Sequence, residues 1–96
     1  MPIVFCSLEI YLPYSRSLKE KRNVVRKTAD RLRSRLNFSV AEIDYQNLHR
    51  RARLGAVSVG PDRVTLERVS NRLIRESEKI LGGDLVDYHV EIFDHD

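Results

Sequence analysis

Apolar and polar residues alternate at both ends of the chain. Residues 3–12, IVFCSLEIYL, are rich in β-branched and aromatic side chains and stop before Pro13, which is typical of a strand. The period of two predicts that one side of this strand faces the core, namely Val4, Cys6, Leu8, Ile10 and Leu12. Residues 85–93, LVDYHVEIF, are predicted to form a last strand. The same alternation predicts that its buried residues are Val86, Tyr88, Val90 and Ile92.

Two segments between these strands have helical spacing. Ser17 and Glu20 form an S-x-x-E capping box, and the apolar positions that follow are Leu18, Val25, Ala29, Leu32 and Leu36. Asn37 is predicted to end this helix. A second helix is predicted to begin at Pro61, because proline suits the first helical turn, and Gly82-Gly83 stops it. Its apolar positions are Leu66, Val69, Leu73 and Ile80.

Two further strands are predicted at residues 38–45 and 51–60, joined by the polar turn QNLHR. The order βαββαβ predicts an α+β, ferredoxin-like fold. In this fold a four-stranded antiparallel sheet has the order 4-1-3-2, and right-handed crossovers place both helices on one face. Ninety-six residues suit a single domain, residues 1–96.

The charge is distributed unevenly along the chain. Residues 16–35 hold nine Lys/Arg against Glu20 and Asp30, a net charge of +7. The other residues hold eight basic and twelve acidic side chains, a net charge of −4. Such polarity attracts an anionic partner to one surface, or a second copy of the chain. On the first helix a basic stripe borders the apolar face, and it consists of Lys19, Arg22, Arg26 and Arg33.

The predicted topology brings the start of the first helix and the hairpin between strands 2 and 3 to one end of the domain. Cations from two distant segments then converge there, and arginine adds a forked donor that suits phosphate. The sequence therefore predicts an anion or nucleic-acid site formed by Arg16, Lys19, Arg22, Arg26, Arg50 and Arg51. Lys21 is predicted to add a further cation to this site. The competing interpretation is that these side chains only solvate a helix and cover its apolar flanks.

The open face of the sheet argues against stacking of bases. Domains of related topology stack RNA bases on aromatic residues of the two central strands. Here strand 1 offers Phe5 and Tyr11, but strand 3 offers Arg53, Gly55 and Val57 on the matching side. We therefore expect any RNA binding to use phosphates and shape, with strong salt dependence.

Three stretches carry a recognisable pattern: LPYSRSLKEKR, SVAEIDYQNLHRRARLG and LVDYHVEI. Together they resemble the small bacterial YlxP-like family of unknown function, over nearly the whole chain. The resemblance implies a stand-alone ferredoxin-like domain with no established activity or catalytic residues. Genes of this family often lie near genes for translation initiation and ribosome maturation factors, which implies a role associated with the ribosome or RNA. Many members have an aromatic residue where this chain has His49.

A second hypothesis is a homodimeric protein-interaction module without nucleic-acid binding. The partly apolar open face offers Phe5, Tyr11, Val57 and Phe93 for contact with a second copy, and edge strand 2 offers a pairing surface. The third hypothesis is a small-molecule or enzymatic role at the hairpin, with Asp44 and His49 as the acid–base pair.

Other chemistry is weakly supported, so we expect a non-enzymatic protein without a cofactor or metal. His49, His89 and His95 lack metal-ligand spacing, and the Asp94-His95-Asp96 tail is interpreted as a frayed terminus. Cys6 is expected to be a small buried hydrophobic residue. The chain contains no apolar run of about 20 residues that spans a bilayer and no signal-peptide pattern. Its one cysteine suits the reducing cytoplasm.

Overall fold

The computed structural model describes residues 1–94, which form a four-stranded antiparallel sheet and two long helices. The elements are β1 (Pro2–Tyr11), α1 (Leu18–Arg35), β2 (Ser39–Asp44), β3 (Arg51–Val59), α2 (Arg63–Leu81), a 3₁₀ turn (Gly82–Asp84) and β4 (Leu85–Asp94). The strand order β2-β3-β1-β4 is the predicted order 4-1-3-2 read from the other edge. The prediction of a ferredoxin-like α+β fold is confirmed.

The core lies between the sheet and the helices and is built around β1. All five residues predicted to be buried on this strand are at most 1% exposed. Their cross-strand partners on β3 are buried as well, because directly paired residues point to the same face. The helices cover this face, and each inserts a leucine that is completely buried, Leu32 from α1 and Leu66 from α2.

The last strand is less buried than its alternation predicts. Val90 and Ile92 are half-buried against the core, whereas Val86 is 58% and Tyr88 is 52% exposed. Burial of these two residues was a wrong prediction, for two physical reasons. β4 is an edge strand, and an irregularity opposite Glu9 and Ile10 leaves Val86 without a cross-strand partner.

Each helix begins at a side-chain cap. Ser17 Oγ accepts from the Glu20 N–H (3.1 Å), as the capping box predicts, but the Glu20 carboxylate returns to the Arg16 N–H (2.9 Å) rather than to that of Ser17. In α2 the cap is Asp62, whose carboxylate accepts from the Thr65 N–H at 2.7 Å. The helix therefore starts two residues after Pro61, which lies before the cap and not in the first turn.

The open face of the sheet changes character from one end to the other. At one end an apolar row crosses three strands, because Ile3 pairs with both Val59 and Phe93. At the other end Glu9 pairs with Arg53 and with Asp87, so the row is charged. The sheet thus presents an apolar half and a charged half on the side away from the helices.

The Asp62 cap gives a pH dependence of stability. The hydrogen bonds from Thr65 hold the pKa of the Asp62 carboxyl below its usual range. A lowered pKa in the folded state means that this contribution is present above the unfolded pKa of about 3.9 and is lost as pH falls through the folded pKa. Asn caps helices nearly as well but does not titrate. We expect the melting temperature of the wild type to exceed that of Asp62→Asn at pH 6, and the difference to shrink at pH 3. A difference that is constant with pH would contradict this role.

Candidate anion-binding surface

The basic run at the start of α1 contains one lysine that is not at the surface. The side chain of Lys21 is 0% exposed, and its ammonium pairs with Glu42 Oε2 at 2.9 Å. It also donates to the carbonyls of Tyr45 (2.7 Å), Gln46 (3.3 Å) and Arg51 (3.1 Å). Four acceptors therefore surround the three N–H donors of one ammonium. A buried charge is tolerated only when it is paired and hydrogen-bonded in this way.

The backbone of the hairpin is shaped to present these carbonyls. Tyr45 has a φ of 64°, the left-handed conformation that non-glycine residues rarely adopt. The pairing of β2 with β3 shifts between Glu42 and Asp44, so Ile43 is an extra residue in this strand. Lys21 thus fastens the hairpin to the first turns of α1. Its contribution to phosphate binding was a wrong prediction, since the side chain is enclosed by protein.

The other predicted cations at this end of α1 are exposed and unpaired. Within residues 1–94 no hydrogen bond or ion pair involves the side chains of Arg16, Lys19, Arg22 and Arg26. Further along the helix, Lys27 likewise has no partner among residues 1–94, whereas each arginine has an acidic one. Arg33 contacts Asp30 at 3.1 Å and also the Val40 carbonyl of β2, while Arg31 and Arg35 contact Glu76 of α2.

The two neighbouring arginines of the hairpin lie on opposite faces of the sheet. Arg50 Nε donates to the carbonyl of Ser15 at 3.2 Å, which places this side chain beside the start of α1. Arg51 lies on the open face, over the Tyr45 ring at 4.1 Å and 3.9 Å from Glu9 Oε2. Of the two predicted hairpin contributions, the structure brings only Arg50 to the helix. We name the resulting set the α1 basic surface: Arg16, Lys19, Arg22, Arg26 and Arg50.

The charged half of the open face is occupied by internal contacts. Arg53 pairs with Glu9 and contacts Asp44 at 3.3 Å, and its Nη2 donates to the Tyr45 hydroxyl. The resulting charge-assisted contacts raise the pKa of the Arg53 guanidinium, Glu9 being the main cause. Strand alternation places Arg53 on the open face, but its contact with Glu9 depends on the cross-strand register, which the alternation does not determine.

The other candidate groups named from the sequence are Asp44, His49 and Cys6. Asp44 is held by Arg53 and by the Tyr45 N–H, while His49 is exposed and makes no hydrogen bond to any described residue. Cys6 is buried, and burial raises the pKa of its thiol to about 11. No cluster of three His, Cys, Asp or Glu side chains suited to a metal occurs within residues 1–94. The proposed tail residues His95 and Asp96 lie outside this range.

In the part of the chain that the structure describes, neither helix combines the length and apolar character needed to cross a membrane.

The fold and the basic helix together define a small ferredoxin-like domain with a cationic helical layer. The chain belongs to the family described as "Protein of unknown function (DUF503)", whose model matches residues 3–90. It is similar to the uncharacterized protein YlxP of Bacillus subtilis (strain 168), with 33% identity over 72 residues that make up 75% of this chain and 78% of that protein. The YlxP-like resemblance seen in the sequence is therefore confirmed.

Solved structures share the fold at low sequence identity. An antibiotic biosynthesis monooxygenase has a TM-score of 0.57 and 14% identity, covering 99% of this chain and 98% of its own. SnoaB, a cofactor-independent oxygenase from Streptomyces nogalater, has a TM-score of 0.53 and 12% identity, covering 98% and 92%. At these identities the likeness shows a common fold and carries no activity over to this chain.

Removal of the buried ammonium tests its role in the fold. Lys21→Met leaves Glu42 and three hairpin carbonyls without their donor, so we expect the free energy of unfolding to fall by about 3 kcal/mol in chemical denaturation. Lys27→Met is the matched control, because Lys27 is exposed on the same helix, and we expect a change within about 0.5 kcal/mol. Equal effects of the two substitutions would show that Lys21 does not fasten the hairpin.

Proposed function

We propose that this chain is a cytoplasmic, non-enzymatic domain that associates with RNA, in particular with ribosomal RNA or a ribosomal subunit, through the α1 basic surface. The observation that carries the proposal is the contrast within one helix. Arg31, Arg33 and Arg35 near the end of the helix contact acidic side chains, whereas the exposed cations of the α1 basic surface have no acidic partner among residues 1–94. Cations that the fold does not neutralise are available for the phosphates of a partner.

The chemistry of the surface suits a nucleic-acid backbone. Three arginines with a free fork can each contact a phosphate through two parallel hydrogen bonds, and Lys19 adds a point charge. Arg50 is already held at the start of α1 by Ser15, so little further ordering is needed on binding. Contacts of this kind depend on counterion release, and they give affinity without sequence specificity.

The non-enzymatic part of the proposal is supported by the state of the reactive groups. The thiol of Cys6 is buried with a raised pKa, which disfavours the nucleophilic thiolate. Asp44 is neutralised by Arg53 and has no contact with His49 in the structure. An acid–base pair at the hairpin would need a rearrangement of both residues.

Neighbouring arginines on opposite faces provide a matched test of the surface. We expect Arg50→Ala to weaken co-sedimentation with ribosomal subunits by about tenfold at low salt, the effect of one lost charged hydrogen bond of about 1.4 kcal/mol. Arg51→Ala removes the same side chain from the other face and is expected to leave binding unchanged. Arg22→Glu is expected to weaken binding further, because it adds repulsion to the loss of a contact.

The proposal fails if the wild type does not bind at low salt, or if binding is insensitive to Arg22→Glu. A loss of binding with Arg51→Ala alone would move the interface to the open face of the sheet.

A second candidate function, a homodimeric interaction module, is favoured by the apolar half of the open face. Val57, Val59 and Phe93 are 41%, 51% and 49% exposed and lie beside half-buried Ile3 and Phe5. A contiguous apolar patch on one half of a sheet suits a two-fold contact in which the same residues meet across the axis. This surface lies opposite the helices, so dimerisation would leave the α1 basic surface free.

Sedimentation velocity over a concentration series tests the dimer. We expect the wild type to sediment as a dimer and Val57→Asp as a monomer, because the substitution places a charge inside an apolar contact. Val64→Asp is the control: Val64 is 64% exposed on α2, so the same substitution there is expected to have no effect. A wild type that remains monomeric at every concentration excludes this function.

A further inference from the structure

A second row of cations runs along the other flank of α1. Lys27, Arg31 and Arg35 lie at intervals of four residues and line a groove of about 350 Å³ between the two helices. From α2 the groove is lined by Glu76, Lys79 and Ile80. Four cations therefore face one carboxylate, which leaves the groove with a net charge of +3. Within residues 1–94 no aromatic ring lines it.

Glu76 holds two of these arginines only loosely. Its side chain is 15% exposed, and its Oε1 lies 3.8 Å from Arg31 Nε and 3.5 Å from Arg35 Nε. Charged hydrogen bonds of full strength have lengths of about 2.7–2.9 Å. The carboxylate thus shares its charge between two guanidinium groups without saturating either of them, and both retain donors for an outside anion.

The two rows of cations on α1 are far enough apart around the helix to contact two separate phosphate backbones. At 100° per residue, Lys19, Arg22 and Arg26 lie roughly 140° around the helix axis from the row in the groove. A helix about 10–12 Å across therefore carries one row on each side. Between the rows the exposed acidic residue is Asp30, which is already paired with Arg33. A single backbone can follow one row only, whereas a duplex presents two backbones on either side of a groove.

The helical layer also lacks what an unpaired strand requires. Proteins that hold single strands stack successive bases on aromatic side chains. Among residues 1–94 the rings lie in the core, on the strands or in the hairpin, apart from Tyr14 in the loop before α1. Tyr14 is 57% exposed, and its hydroxyl donates to Asp84 at 2.9 Å. One tethered ring is not a platform for successive bases.

From these observations we propose that the ligand of α1 is double-helical RNA, with one backbone on the α1 basic surface and the other on the groove row: Lys27, Arg31, Arg35 and Lys79. This inference rests on the proposed RNA association and specifies its substrate class. The wide, shallow minor groove of an A-form duplex admits contacts across it from an exposed helix, and such contacts recognise shape rather than sequence.

The test compares two RNAs of equal charge by fluorescence anisotropy over a salt series. One is a duplex of about 16 base pairs, the span that known duplex-binding domains cover, and the other is an unpaired strand with the same number of phosphates. We expect tighter binding of the duplex. Arg31→Ala is expected to reduce the salt slope for the duplex by about one and to leave the unpaired strand unaffected.

Two further variants sharpen the comparison. Glu76→Gln removes the carboxylate that competes for Arg31 and Arg35, so we expect it to strengthen duplex binding severalfold. Tyr14→Ala removes the exposed ring in the loop before α1 and is expected to change neither affinity. Circular dichroism melts of each variant confirm that a change in binding does not come from a loss of fold.

The outcomes separate this inference from the proposed function. Equal binding of the two RNAs, or equal losses for both with Arg31→Ala, would overturn the duplex assignment while RNA association stands. A preference for the unpaired strand that Tyr14→Ala abolishes would overturn it in favour of stacking. Absence of binding to both RNAs, or no effect of Arg22→Glu on either, would overturn RNA association itself.

Discussion

The enclosed ammonium of Lys21 is the contact on which the arrangement of this domain's basic end depends. A buried charge without partners costs several kcal/mol, so the fold must bring acceptors to it. It does so with the Glu42 carboxylate and three carbonyls of the hairpin. Because these groups lie on β2, the turn and β3, one side chain of α1 fixes the position of the whole hairpin against the helix.

The placement of the neighbouring arginines follows from this attachment. The Arg51 carbonyl faces Lys21, while its side chain extends to the open face and stacks on Tyr45. Arg50, one residue earlier, instead reaches the Ser15 carbonyl at the start of α1. Lys21 thus serves the fold, and the cations on either side of it in sequence, Lys19 and Arg22, remain exposed. The basic run of α1 therefore contains one lysine that holds the fold together and other cations that remain accessible to a partner.

Strand alternation and helical spacing predicted the fold well, because both report directly which face an element buries. Strand alternation and helical spacing also indicate which basic side chains belong to the site, whereas a count of charges does not. Arg51 has the same parity on its strand as Arg53 and Val57, which places it on the open face. On a helical projection Lys21 falls beside Leu32 and Val25, within the apolar face. Position, not residue type, distinguishes Lys21 and Arg51 from the cations of the α1 basic surface.

Other features could not be predicted from the sequence, because they arise between elements. The exposure of Val86 depends on an irregularity in the pairing of β1 with β4, where Glu9 pairs with Asp87 but Ile10 pairs with Leu85. The pairing of Arg31 and Arg35 depends on Glu76 of the other helix. The contrast between these paired arginines and the unpaired cations of the α1 basic surface, which supports the function proposed, therefore became visible only with the tertiary structure.

The division of the basic run can be measured directly by lysine acetylation and mass spectrometry, with and without bound ribosomal RNA. The chain has four lysines, Lys19, Lys21, Lys27 and Lys79. We expect Lys21 to be unreactive in the free protein and in the complex. We expect Lys19 and Lys27 to react when the protein is free and to become protected when RNA is bound. Labelling of Lys21 as fast as the others, or unchanged labelling of Lys19 and Lys27 in the complex, would contradict this division of the basic run.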